Sequence, residues 1–252
     1  SHIAAPDVGL ITNVGKAHLE GFGSLEGVLD AKSELYVYLA GHHGMAIIDG
    51  KDQMLIRKAG EIGVDSSVII PNGDLPVEVK LIRQTPFLEL EMMLEDRVYP
   101  ISTNLIGAYN LQNILLAAGT GVYFGISAEE IVGAISGYHP QNQRSQMVEG
   151  GRNSLVMDSY NANPSSMREA IGGLLTYASS PTMLILGDMA ELGGSSEQEH
   201  RELVQWIGTL NVDRVLLTGP CFYGVYEPSD KIDVFRDRLE LEAFLRKERP
   251  EG

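Results

Sequence analysis

The stretch "SLVMDSYNANPSSM" (154–167) holds a strand, a turn and a helix start, and it decides the fold class. The segment "SLVMDS" (154–159) has the pattern of a strand. Asn163 followed by Pro164 is the pattern of a helix N-cap with proline at the first helical position. The polar residues between them therefore form a turn from the carboxyl end of a strand into a helix.

The same unit recurs toward the C-terminus. "TMLILGD" (182–188), "RVLLTG" (214–219) and "KIDVF" (231–235) have the pattern of strands, and helical patterns cover 196–210 and 239–248. Strands that alternate with helices predict an α/β domain with a parallel, doubly wound, Rossmann-like sheet. In such sheets the ligand crevice lies at the carboxyl ends of the strands.

The first half of the chain has a more mixed pattern. "VGLITNV" (8–14) indicates a buried strand, residues 45–101 read as a series of short strands, and 110–127 as a helix ended by glycine. The segment 136–143 is polar and contains glycine and proline. We therefore predict two domains, residues 1–138 and residues 139–252.

Serine residues mark three further helix starts. Ser24 and Ser127 each precede a helical pattern and are predicted N-caps. Ser196 with Glu199 three residues later predicts a capping box.

Composition excludes several classes of protein. The net charge of −15 and the pI of about 4.7 argue against nucleic acid as the main partner, because phosphate binding needs clustered cations. Cys221 has no second cysteine with which to form an internal disulfide, which fits a reducing compartment. No apolar run is long enough to span a membrane, and the first residues do not resemble a signal peptide. A strand pattern begins almost at once, so we expect the chain to start inside a larger protein.

The segment "ITNVGKAHLEGFGS" (11–24) looks at first like a phosphate-binding loop. That motif needs glycine, four residues, then Gly-Lys-Ser/Thr. Here Gly9 lies one position too far from Gly15-Lys16, and Ala17 stands where a hydroxyl is needed. The match fails, so His18 and Glu20 need another explanation. Either they are ordinary loop residues, or they belong to a metal or phosphate site.

Lys32 falls on the apolar stripe of the helix that starts at Leu25. It lies four residues after Val28 and three before Leu35. A lysine at such a position can extend its ammonium group to solvent. Alternatively, burial lowers its pKa, so that the amine is neutral often enough to react or be modified.

Polar side chains that could bind a ligand collect at helix starts and strand ends. Each has a structural alternative, because Asn and Asp commonly cap helices and form turns. Asn110 and Asn113 share one helix face and could instead bind the edge of a base. Arg144, at the domain junction, could reach a phosphate. The remaining candidates follow two neighbouring strands: Asp158, Tyr160, Asn161, Asn163, Asp188 and Glu191.

Four motifs resemble those of the Mur ligase family. They are "NVGKAHLEGFGSLEGVLDAKSELY", "LIGAYNLQNILLAA", "MDSYNANPSSM" and "LGDMAELG". The last two are similar to signatures of the branch that adds D-Ala-D-Ala to a UDP-N-acetylmuramoyl (UDP-MurNAc) tripeptide. The resemblance implies the later part of a central ATPase domain with a mixed sheet, followed by most of a C-terminal ligase domain.

The resemblance also implies roles for individual residues. His18 would bind Mg²⁺ together with a carbamylated Lys32, and both would be catalytic. Asn110 and Asn113 would contact the adenine of ATP, and Arg144 and Asp158 its phosphate and ribose. Side chains lining the substrate cleft would be Tyr160, Asn161, Asn163, Asp188 and Glu191. Tyr109 stands where the family often has histidine, which we interpret as a tolerated change.

The family places a UDP-sugar domain, a phosphate-binding loop and a metal-binding glutamate before the segment that contains His18, and a Lys-Gly-Ser motif after the last helix. None of these lies in residues 1–252. We therefore expect an ATP-dependent peptide ligase of peptidoglycan synthesis, monomeric and cytoplasmic in bacteria, of which this part alone is inactive. The alternatives are a non-catalytic nucleotide- or dipeptide-binding module and a ligase similar to folylpolyglutamate synthase.

Overall fold

A computed structural model describes residues 3–15, 19–71, 73–141, 143–225 and 229–249. Within these ranges the chain forms two compact units. The first unit comprises residues 3–15 and 24–139. The second comprises residues 19–23 and 140–249, so it includes a short segment that interrupts the first unit in sequence.

Helices and strands alternate along much of the described chain, with a run of four strands in the middle. In chain order they are β1 (Val8–Leu10), α1 (Leu19–Phe22), α2 (Leu25–Gly41), β2 (Met45–Asp49), α3 (Gln53–Ile62), β3 (Asp65–Ile69), β4 (Glu78–Gln84), β5 (Phe87–Leu94), β6 (Arg97–Ile106), α4 (Asn110–Tyr123), α5 (Ala128–Gly137), β7 (Gln146–Glu149), β8 (Ser154–Met157), α6 (Pro164–Leu175), β9 (Met183–Gly187), α7 (Ser196–Gly208), β10 (Arg214–Thr218), α8 (Pro220–Val225), β11 (Ile232–Phe235) and α9 (Arg238–Glu248).

The first unit contains a parallel sheet and an antiparallel sheet. The strand order is β1-β2-β3 in the parallel sheet and β4-β5-β6 in the antiparallel one. Strand β5 alternates buried and half-buried residues, which fits a sheet with one face on the core. The turn between β5 and β6 is at Glu95 and Asp96, and both residues have positive φ. The mixed α/β architecture is thus confirmed for this half.

Two sequence predictions for the first unit were wrong in detail. Strand β1 ends at Leu10 rather than at residue 14. Helix α3 was missed, because residues 45–101 were read as strands only. Asp52 caps α3 by accepting a hydrogen bond from the Leu55 amide, and Gly63 ends it with φ +76°. Both signals were present in the sequence, as an N-cap and a C-terminal glycine.

The second unit contains a three-stranded parallel sheet of order β11-β10-β9 and a separate hairpin of β7 and β8. A core of buried apolar residues holds the second unit together. These residues come from α6, α7, α8, the three parallel strands and nearby loops, and they include Leu203, Ile207 and Phe222. Asn163 is the N-cap of α6, as predicted, and accepts hydrogen bonds from the amides of Ser165 and Ser166.

The capping box predicted at Ser196 is wrong. A 3₁₀ turn at Gly193–Ser195 runs directly into α7, so Ser196 is already helical, with φ −54° and ψ −51°. An N-cap needs an extended backbone, which Ser196 does not have. Ser127 does have it, and there the reciprocal box with Glu130 is formed.

Across the described ranges, no helix combines the length and the apolar character that crossing a membrane would require.

Candidate functional site

Lys32 lies on α2 in the first unit, and its partly buried surroundings lower the pKa of its amine. Ser24 caps this helix by accepting a hydrogen bond from the Gly27 amide. The Lys32 side chain is half-buried, and its Nζ donates to the Asn13 carbonyl oxygen at 2.7 Å. Burial lowers the pKa of the Lys32 amine below its ordinary value. The side chain is therefore partly buried, and the reactivity of its amine stays a prediction.

The partner that the sequence suggested for Lys32 is His18, which lies outside the described residues. Within the described ranges, no carboxylate lies within ion-pair distance of Lys32 Nζ. The lowered pKa therefore follows from burial that no carboxylate of the described residues offsets.

Asn110 and Asn113 are brought together at the start of α4. Asn110 is buried, and its Nδ2 donates to the Ile106 carbonyl oxygen at 2.8 Å. Its Oδ1 accepts a hydrogen bond from Asn113 Nδ2 at 3.0 Å. Neither side chain acts as the N-cap, because the residue in that position is Tyr109. Asn110 therefore fixes the helix to the end of β6, and Asn113 is the exposed member of the pair.

The turn before α4 requires glycine. Gly107 has φ +88°, and a Cβ added there would lie 2.2 Å from the Tyr109 ring. A side chain at residue 107 would displace this ring and with it the start of α4.

Sequence reasoning missed a polar contact beside this helix start. Asp49 is buried at the carboxyl end of β2, where its carboxylate accepts hydrogen bonds from the Lys51 amide and from Gln112 Nε2. The sequence could have indicated this contact through an aspartate at the end of a strand and a glutamine between two asparagines. The hydrogen bond between Asp49 and Gln112 links the parallel sheet to α4.

In the second unit, Arg144 and Tyr160 are stacked. The Arg144 guanidinium carbon lies 3.8 Å from the centre of the Tyr160 ring, and both side chains are exposed. Next to this pair, Ser145 Oγ donates to Asp158 at 3.5 Å. Three of the predicted residues thus form one exposed patch, in which a cation and a carboxylate lie at the end of β8.

The two asparagines of the same turn differ in what their side chains do. Asn163 Oδ1 is occupied by the cap of α6, as described above. Asn161 is exposed, and its Oδ1 accepts from the adjacent Ala162 amide at 2.9 Å. Of the two, Asn161 is more open to a ligand.

Asp188 has a structural task in this fold. Its two carboxylate oxygens accept hydrogen bonds from the amides of Cys221 and Phe222, at 2.8 and 2.9 Å, and so cap the start of α8. Gly219 permits this approach, because a Cβ there would lie 2.4 Å from the Asp188 carboxylate. Glu191, in the loop that follows, is exposed and has φ +60°.

Asp188, His200 and Cys221 place three potential metal-binding atoms within 4.8 Å of one another. His200 is fully buried, its Nε2 accepts from the Met189 amide at 2.9 Å, and its Nδ1 lies 2.7 Å from the Ser196 carbonyl oxygen. The imidazole is therefore neutral with the proton on Nδ1, and neither nitrogen has a lone pair left for a metal. Burial, and secondarily the charge of Asp188, raise the pKa of the Cys221 thiol. This cluster holds loops together and is not a metal site.

Two family models match the chain, and each covers most of one predicted domain. They are described as "Mur ligase middle domain", over residues 1–121, and "Mur ligase, glutamate ligase domain", over residues 143–242. The UDP-N-acetylmuramoyl-tripeptide–D-alanyl-D-alanine ligase of Bacillus subtilis is 31% identical over 224 residues. The match covers 87% of this chain and 47% of that protein.

Solved structures give the same result. A crystal structure of MurF from Acinetobacter baumannii matches with a TM-score of 0.82 and 28% identity, over 99% of this chain and 55% of that one. MurF ligase from Thermotoga maritima, solved in complex with ADP, has a TM-score of 0.80 over 98% of this chain and 56% of that one. At 22% identity the second match bears on the fold alone. The chain spans about half the length of the relatives it matches.

Proposed function

This chain belongs to the Mur ligase family, and on that premise we propose that it is the ATPase and ligase part of an enzyme that joins D-Ala-D-Ala to a UDP-MurNAc tripeptide. The observation that carries the proposal is the similarity of almost the whole chain to ligases named for this reaction. In this proposal the enzyme acts as a monomer in the bacterial cytoplasm, in the synthesis of peptidoglycan precursors.

The reaction couples ATP hydrolysis to amide formation. The terminal carboxylate of the tripeptide attacks the γ-phosphorus of ATP, which gives an acyl phosphate and releases ADP. The amine of D-Ala-D-Ala then attacks the acyl carbon, loses a proton, and phosphate leaves. Mg²⁺ ions supply positive charge that neutralises the transferring phosphoryl group.

Lys32 is the described residue whose chemistry best fits metal-assisted phosphoryl transfer. Carbamylation requires a neutral amine, and burial lowers the pKa of Lys32 in that direction. Reaction of Nζ with carbon dioxide would replace a cation with a carboxylate-like group, whose oxygens suit Mg²⁺. We propose that this carbamate and His18 hold one Mg²⁺.

ATP is proposed to bind through Asn110, Asn113, Arg144 and Asp158. Asn113 is exposed beside Asn110 and has an amide that can both donate to and accept from an adenine edge. Arg144 would contact phosphate, and Asp158 the ribose. The stacking of Arg144 on Tyr160 supports this assignment, because the ring holds the guanidinium in one orientation.

The D-Ala-D-Ala dipeptide is proposed to bind at the strand-end loops of the second unit. Tyr160 and Asn161 are exposed there, and Asn163 fixes the turn that presents them. Glu191 lies in the loop after β9 and could accept hydrogen bonds from the dipeptide amine. Asp188 would act by shaping this loop, since its carboxylate already caps α8.

The test is release of ADP from ATP by the full-length protein with both substrates present. We expect Lys32→Ala to lower the rate about 100-fold. The matched control is Lys80→Ala, because Lys80 is a well-exposed lysine of the same unit. Equal activity in the two variants would contradict the role of Lys32.

Residues 1–252 should be assayed in parallel. They contain no Gly-x-x-x-x-Gly-Lys-Ser/Thr sequence, so we propose that they do not turn over ATP alone. Activity above that of a Lys32→Ala control of the same length would contradict this.

Two further measurements separate the alternatives. If calorimetry shows that residues 1–252 bind the dipeptide, and the full-length protein does not hydrolyse ATP, a non-catalytic module would be favoured. Glutamate transfer to folate would favour a ligase similar to folylpolyglutamate synthase.

A further inference from the structure

Helix α1 is short and lies in the sequence between β1 and α2, yet it belongs to the second unit. Its contacts are with the loop after β9, which comprises residues 188–195. The Glu20 amide donates to the Glu191 carbonyl oxygen at 3.0 Å. We propose that this loop is a docking platform for α1, so that α1 moves with the second unit and not with the strand and helix that flank it in sequence.

The platform approaches α1 closely because it has no side chain at one position. Gly193 has φ +53°, and a Cβ added there would lie 3.3 Å from both Cα and Cβ of Glu20. Such a distance is tighter than ordinary van der Waals contact. Gly194, the next residue, has nothing within 4 Å of an added Cβ. The surface that meets Glu20 is therefore formed by Gly193 specifically.

Buried side chains and hydrogen bonds hold the platform against the rest of the second unit. Met189 and Leu192 are buried, and His200 accepts a hydrogen bond from the Met189 amide. At its start, Asp188 is bonded to two amides of α8. The loop that carries Glu191 and Gly193 is thus tied to α7 and α8, both elements of the second unit.

Native-state hydrogen exchange of residues 1–252 tests which unit carries α1. An amide that donates within a cooperative unit exchanges by the opening of that unit. We expect His200→Ala to raise the exchange rate of the Glu20 amide about tenfold or more, and Leu39→Ala, in the core of the first unit, to leave it unchanged. His200→Gln is the milder variant should His200→Ala not fold. An effect of Leu39→Ala equal to that of His200→Ala, or no effect of either His200 variant, would overturn the proposal.

Disulfide trapping tests the contact itself, in a Cys221→Ser background. The distance between Cβ of Glu20 and a Cβ at residue 193 is close to the 3.5–4.5 Å that a disulfide needs. We expect Glu20→Cys with Gly193→Cys to cross-link at least about tenfold faster than Glu20→Cys with Gly194→Cys. Equal rates would overturn the proposal. Neither measurement involves ATP, so docking and the proposed ligase activity can fail separately.

Discussion

Lys32 and His200 are both titratable side chains on the inner face of a helix, but their surroundings differ. His200 is fully buried, and each ring nitrogen has a backbone partner. Lys32 is half-buried, with one carbonyl oxygen as its hydrogen-bond acceptor and no described carboxylate in ion-pair distance. The histidine's hydrogen-bonding capacity is used up by the fold, whereas the lysine's is not. Residues that carry out chemistry should therefore be sought among those whose hydrogen-bonding capacity the fold does not use up.

The largest effect is expected from His200→Ala. The substitution removes two hydrogen bonds, leaves the Met189 amide buried without a partner, and opens a cavity. We expect the free energy of unfolding of the second unit to fall by about 3 kcal/mol. Urea denaturation followed by the fluorescence of Trp206, which lies on the same helix, α7, measures it.

Lys32→Ala is the paired change in the first unit. It removes a charge whose burial no described carboxylate offsets, so we expect a stability change of less than about 0.5 kcal/mol. If Lys32→Ala lowered the free energy of unfolding as much as His200→Ala, Lys32 would have a structural role like that of His200.

Asn163→Ala is expected to have the next largest effect on stability. Its Oδ1 accepts two amide hydrogen bonds at the start of α6, and loss of such a cap costs about 1 kcal/mol. Asn161→Ala is the control, and we expect it to cost less than about 0.5 kcal/mol. If thermal unfolding showed that Asn163→Ala and Asn161→Ala lose equal stability, the cap would not be what holds this turn.

The reactivity of Lys32 sharpens the comparison from the chemical side. Because its pKa is lowered, Lys32 has a larger neutral fraction than an ordinary lysine at every pH below about 10. We expect cyanate at pH 8 to modify Lys32 several-fold faster than the exposed Lys80, with the rate of Lys32 levelling off at a lower pH. Peptide mass spectrometry gives both rates. If cyanate modified Lys32 more slowly than Lys80, limited access of cyanate to the partly buried amine would outweigh the effect of its lowered pKa.

Cys221 should show the smallest change, in the opposite direction. Burial and the nearby Asp188 raise the pKa of its thiol, so less thiolate is present at pH 8 than in an unfolded chain. We expect alkylation by iodoacetamide to be about two- to fivefold slower in the folded protein than in urea. Faster alkylation in the folded state would mean that the helix start stabilises the thiolate after all.

Local signals predicted the parts of the structure that depend on neighbouring residues in the chain. The N-caps Ser24, Ser127 and Asn163 were predicted correctly, because a cap involves residues two or three positions apart. Ser196 failed because the backbone before it was already helical, which its side chain does not reveal. Helix α3 was overlooked although its cap and its terminal glycine were both present.

The sequence identified candidate site residues by their type, and their roles stay predictions. A strand end pointed to Asp158 and Tyr160 and the domain junction to Arg144, and the fold brings these three together. Asp188 was also identified from its strand end, but its partners lie more than 30 residues away on α8. Contacts over that separation depend on how strands are ordered in the sheet, and no local pattern encodes them.

That long-range cap has a consequence for biosynthesis. Asp188 leaves the ribosome 33 residues before Cys221, the first amide that it accepts from. Until β10 and the start of α8 have also emerged, the Asp188 carboxylate in the loop after β9 lacks these two amide partners. We therefore expect this loop to be among the last parts of the second unit to become ordered during translation, and to be open to proteases on stalled chains that end before residue 221.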